Sequence, residues 1–181
     1  MIDAKYLCMA QIPGLPKMVV EAFKLGKLNT TELPGTKANP VIIALAKEAN
    51  VANIYTSDEV AWCAVAHTVL ALRAGKTVAF KGYARLRAAS FLEFGQPITI
   101  PCLGDTLVFK RDGGYHVGLY IAEDTTHYHV AGGNQSNQYN ITRIDKKRLL
   151  QARRPYYSIG IPQSVKRFFF SPAGEISVNE M

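Results

Sequence analysis

Four short segments follow Pro101, "GDTLVFKR", "YHVGLYIAED", "THYHVAGG" and "YNITRID", each rich in β-branched and aromatic residues and separated by "DGG", "DTT" and "GNQSNQ". Turn-forming clusters at that spacing join neighbouring antiparallel strands, so the second half predicts a meander, with "LLQARRP" adding one more strand. The first half has a different period. "KMVVEAFKLGKL" predicts a short helix ended near Gly26, and "NPVIIALAKEAN" predicts one at 40–49, with Asn39 as N-cap and Pro40 at the first helical position. A further helix contains Cys63 and runs through Leu72 to Gly75. Its start is open between Thr56, whose spacing to Glu59 is that of a capping box, and Asp58 as N-cap. "YARLRAASFLEF" predicts a last short helix, ended by Gly95. Helices first and strands after imply an α+β domain with helices packed on one side of an antiparallel sheet.

The 181 residues suit one domain able to bury its own core. Residues 1–39, with Pro13, Gly14, Pro16, Pro34 and Gly35, read as an N-terminal arm packed on a main domain at 40–155. Residues 156–181 read as an extended tail whose three consecutive phenylalanines need a surface to cover. Three widely spaced cysteines, Cys8, Cys63 and Cys102, fit neither a disulfide framework nor a CxxC zinc site. No Sec signal or membrane span is readable, so no membrane insertion is expected, and synthesis in the cytoplasm would require another route to any target outside it. The net charge of +7 suits an anionic partner, either nucleic acid or a cell wall. The basic runs "KKR" and "RR" lack the interleaved aromatics of a stacking platform, so no nucleic acid is expected.

Chemistry centres on "SDEVAWCAVAHTV", where Cys63 follows Trp62 at the front of an apolar helical run. A cysteine nucleophile needs a base within hydrogen-bond reach and a third group to orient that base. His116 opens a predicted strand after a Gly-Gly turn, and Asn134 lies 18 residues later on the following strand. An imidazole and a helix N-terminus would both favour the thiolate. Backbone amides around Cys63 would receive the oxyanion, and protonated His116 would donate to the leaving amine. On spacing alone, however, a lone cysteine in an apolar helix reads equally as a small buried core residue, and Asn134 after two glycines reads as turn chemistry.

"YTSDEVAWCAV", "LGDTLVFKR", "GGYHVGLYIAED", "YHVAGGNQSNQYNITRI" and "LLQARRP", in that order, resemble the phage and bacterial cell-wall hydrolases related to the CHAP and NlpC-type papain-like amidases and endopeptidases. The resemblance covers residues 15–155 and implies a papain-like fold and hydrolysis of an amide bond in peptidoglycan, either at the muramoyl–L-alanine link or within the stem peptide. It implies Cys63 as nucleophile, His116 as base and Asn134 as the orienting residue. Tyr55 and Trp62 fall near the implied oxyanion and substrate side, Asp58 and Glu59 either bind a substrate amine or cap the helix, and Gln135 supports Asn134. The calcium loop of some CHAP enzymes is absent and no cofactor is implied. Delivery by a phage lysis system or by an injection apparatus would carry the enzyme to the periplasm, the second route implying an immunity protein as partner.

Two rival readings stand beside this one. A zinc-dependent hydrolase could draw on His116 with His127 and His129, which share one face of a strand, and would need Asp105 or another fourth ligand. A wall-binding or phage structural module could keep the same fold without turnover.

Overall fold

The computed structural model describes residues 2–34 and 38–171; Gly35 and the part of the expected tail beyond Ser171 lie outside them. Three α-helices precede the sheet: α1 (Lys17–Gly26), α2 (Pro40–Glu48) and α3 (Cys63–Arg73). Asn39 caps α2 by accepting from the Val41 amide at 2.8 Å, as its position before Pro40 predicts. The expected helix over "YARLRAASFLEF" is instead two 3-10 turns, Gly82–Leu86 and Ala88–Glu93, interrupted at Arg87, whose backbone is extended. A 3-10 helix at Ala4–Gln11 is additional to the expectation.

The six strands are β1 (Gln96–Ile98), β2 (Thr106–Arg111), β3 (Gly114–Glu123), β4 (His127–Gln135), β5 (Gln138–Asp145) and β6 (Leu149–Arg154), ordered β1-β6-β2-β3-β4-β5 and all antiparallel. The meander β2 to β5 is the one the turn clusters predict, and "LLQARRP" supplies β6. The architecture is α+β, with helices on one face of the sheet.

Alternation along the strands builds two cores. Val108, Val117, Leu119, Ile121 and Ala131 face the helices and join Leu45, Trp62, Val65 and Val69 in the larger cluster. The opposite face carries Leu107, Phe109, Tyr120, Val130, Ile144 and Ala152, a second cluster made only of strand residues. Their burial requires the sheet to curl around them, and bulges at Val108/Phe109, Tyr120/Ala122 and Gly132/Gln135 supply the bends.

The ends of the chain are built into this frame. Tyr6, Met9, Met18 and Phe23 belong to the helix-side core. Past β6 the chain returns along the sheet: the Glu123 amide donates to the Phe168 carbonyl at 2.8 Å, and the Phe170 amide donates to the Glu123 carbonyl at 2.9 Å. Phe168 and Phe170 thereby cover the protein's own core while Phe169 faces out under the Arg167 guanidinium, so two of the three phenylalanines need no other surface. Among the described residues no helix is long and apolar enough to cross a membrane.

Candidate active site

Cys63 is the first residue of α3. Neither predicted start holds: the Asp58 carboxylate accepts from the amides of Leu33 at 3.2 Å and Asn39 at 2.7 Å, and the segment around it is a turn. Occupied by those distant amides, Asp58 ties Leu33 and Asn39 to the turn before α3, and Trp62 occupies the N-cap position without a side-chain bond to the helix. Cys63 therefore stands at the positive end of the helix dipole, closer than either expected start would place it. Burial pushes its thiol pKa up, while the backbone amides of Val117 and Ala64 and the charge of Arg111 pull it down. The residue is 5% exposed. At neutral pH the buried group is a thiol, and making it a nucleophile requires a base.

Val117 belongs to β3, and its neighbour His116 projects to the other face of that strand, stacked on Phe109 with ring centroids 6.4 Å apart. At this level the sheet is incompletely zipped: pairing of β3 with β4 begins only at Leu119 and Ala131, while residues 114–118 pair with β2 alone. Cys63 meets the Val117 amide from the helical layer, and His116, the residue before Val117 on β3, points to the other face of the strand.

The imidazole is held by an amide. His116 Nε2 lies 3.1 Å from Gln135 Oε1. The Gln135 amide nitrogen faces three acceptors, Val130 O at 3.1 Å, Asn140 O at 3.0 Å and Asn140 Oδ1 at 2.9 Å. Its orientation is thus fixed, and Oε1 can only accept. The proton of the neutral imidazole must then sit on Nε2, making Nδ1 the basic nitrogen.

The partner of His116 is therefore Gln135, while Asn134 is the residue displaced by the bulge. Asn134 has φ 58°, in the left-handed region, and its Oδ1 is buried without a hydrogen-bond partner. Ser136 and Asn137, at φ 53° and 61°, make a two-residue hairpin turn that pairs Gln135 with Gln138. That turn was readable in "NQSNQ" and would have marked Gln135 as the last strand residue. Asn140, which locks the Gln135 amide, carried no sequence signal. Two glycines make room beside this site: a Cβ on Gly133 would stand 2.6 Å from the Trp62 ring, and one on Gly132 would stand 3.1 Å from Gln135 Oε1.

The remaining candidates serve the frame. The Tyr55 hydroxyl donates to Val60 O at 2.8 Å, and Trp62 Nε1 donates to Glu32 Oε1 at 2.7 Å. Burial raises the pKa of both Tyr55 and Glu32, each also lifted by neighbouring Asp58. His67, one turn after Cys63, is hydrogen-bonded with Thr106 Oγ1 at 2.8 Å, and burial lowers its pKa to about 3, so it stays neutral.

The zinc reading fails on geometry. His116 points to the face shared with Val130, whereas His129 points to the opposite face, beside Tyr6. His129 Nδ1 lies 2.7 Å from the Tyr6 hydroxyl and its Nε2 lies 3.0 Å from Asp124 Oδ2. His127 accepts from Arg143, and Asp105 is clasped by Arg154 at 2.9 and 2.7 Å. Among the described residues no three His, Cys, Asp or Glu side chains are placed to hold one metal ion. Compared with known proteins, the chain matches no family model and no curated protein.

Proposed function

We propose that this protein is a papain-like cysteine hydrolase that cleaves an amide bond in the peptide part of peptidoglycan. The observation that supports this reading is the His116–Gln135 pair, a buried imidazole with its tautomer fixed by a neutral amide, one residue before the Val117 whose amide meets Cys63 at the start of α3. His116 Nδ1 takes the thiol proton, and the thiolate adds to the amide carbonyl. Backbone amides at the start of α3 stabilise the oxyanion, as helix N-termini do for developing negative charge. Protonated His116 then donates to the departing amine as the C–N bond breaks, leaving a thioester on Cys63. Water, deprotonated by His116, hydrolyses the thioester to a carboxylate and regenerates the thiol. The peptidoglycan substrate rests on the motif order and on the charge of +7, which suits an anionic wall. Such an enzyme acts in the periplasm, brought by a phage lysis system or by an injection apparatus, and in the second case an immunity protein is its partner.

The burial of Cys63 favours a second reading, a wall-binding or phage structural module in which the cysteine is only a core residue. Digestion of purified sacculi separates the two. The first reading expects new amine termini in the muropeptides, no new reducing sugar ends, and a loss of roughly 10³-fold or more on Cys63→Ala with the fold intact. Reducing ends alone, or full digestion by the Cys63→Ala protein, would overturn it.

A further inference from the structure

A cavity of 570 Å³ lies between the start of α1, the residues just past α3 and the chain at 155–162. Cys63 opens α3 and Lys76 lies beyond its other end, so the cavity is separated from Cys63 by the length of an 11-residue helix, about 16 Å. Its size is that of a small-molecule site. Lys17 and Lys76 line it, and among the described residues no carboxylate does. Lys76 Nζ donates to the Tyr156 carbonyl at 2.5 Å and sits 4.1 Å above the centre of the Tyr157 ring, which pins the ammonium to the cavity wall. Burial lowers the Lys76 pKa, and the charge of Lys17 lowers it further, so the two ammoniums feel each other across the cavity. Lys17 is also the first residue of α1, where Pro16 stands at the N-cap and offers no side-chain bond to the first amides. Leu15, Phe94, Pro155 and Tyr156 supply apolar wall.

We propose that this cavity binds a small organic anion, its carboxylate or phosphate held between Lys17 and Lys76 and its compact apolar body laid against Phe94 and Tyr156. Two cations line a half-apolar cavity whose described lining holds no acid, so such a ligand supplies the counter-charge, and the apolar wall gives the body its contact area. The inference is independent of any role for Cys63. Titration of the full ¹⁵N-labelled chain with phenyl phosphate, benzoate, inorganic phosphate and benzyl alcohol tests it. Phenyl phosphate and benzoate should saturably shift the amides of Gly75, Thr77, Ser158 and Gly160 and leave those of Val117 and Gly133 in place. Benzyl alcohol and inorganic phosphate should each bind at least tenfold more weakly, the first lacking the charge and the second the body. Lys17→Ala and Lys76→Met should each weaken phenyl phosphate at least fivefold; Lys17 is exposed, so its variant carries the test should Lys76→Met disturb the Tyr156 contact. No saturable shift, equal affinity for benzyl alcohol, or equal affinity for inorganic phosphate overturns the assignment.

Discussion

The tripeptide Tyr-His-Val occurs twice, at 115–117 in β3 and at 128–130 in β4, and the sheet puts the two copies to opposite uses. In the first, valine faces the helices and histidine faces the interior of the curl; in the second the faces are exchanged. The surroundings differ as sharply. Both nitrogens of His129 are committed, Nδ1 to Tyr6 and Nε2 to an Asp124 that also receives Arg143 at 2.7 Å and the amides of Thr126 and His127. His116 Nε2 is oriented by the neutral amide of Gln135. A carboxylate fully engaged by charge and amides welds β4, β5 and the N-terminal segment together. A neutral acceptor sets the direction of a ring without fixing its charge, which is the condition a proton carrier needs.

The largest expected effect tests the welded side. Asp124→Ala strips the buried partner from Arg143 and His129 and should cost about 3–5 kcal/mol, measured by urea unfolding, with activity per folded molecule unchanged. An unaltered unfolding midpoint would remove the structural half of the contrast. Removing the His116 partner should act on turnover. Gln135→Leu should lower kcat on sacculi on the order of 10–100-fold, part of the 10²–10⁴ that a positioned acid–base group contributes. Its stability cost should be about 1–3 kcal/mol, because Asn140 loses a partner. Equal loss of activity in Asp124→Ala and Gln135→Leu would erase the distinction between the two histidines.

How much of this was legible varies with the distance over which the deciding interaction acts. The meander and α2 are written in local periodicity and turn residues. The start of α3 is not, because Asp58 is engaged by Leu33 and Asn39, 25 and 19 residues away. The fate of the phenylalanines depends on pairing between Glu123 and residues 168–170. Two identical tripeptides can be told apart only once register is known, since a one-residue offset exchanges the faces of a strand.

Acid should act on both regions with the same sign. Burial opposes ionisation of Glu123, yet bonds from Arg167, Lys146 and Tyr120 hold its pKa down to about 2, below the ordinary 4.5. His67, also depressed, falls from 6.5 to about 3. In each case the unfolded chain takes up a proton that the folded chain resists, so stability is present above the unfolded pKa and is lost as pH falls through the window toward the folded one. For His67 that window is roughly pH 6.5 to 3. His67→Leu should therefore flatten the fall of unfolding free energy across it by about 1.4 kcal/mol per pH unit at the steepest part. A slope identical to the parent's would mean that His67 titrates normally in the fold.

The smallest effect sharpens the contrast inside one dipeptide. Asn134 and Gln135 are adjacent amides, and the bulge gives them different work. Gln135 spends its oxygen on His116, and Asn134 holds a left-handed backbone with a buried Oδ1 that bonds to nothing. Glycine tolerates that backbone without a Cβ penalty, and deleting the amide removes an unsatisfied acceptor. These gains outweigh the chain entropy that glycine loses on folding, so Asn134→Gly should stabilise the protein by about 1 kcal/mol and change kcat less than about threefold. A destabilised or inactive Asn134→Gly protein would mean that Oδ1 meets its partner only during turnover, and the orienting role would then be shared by both amides.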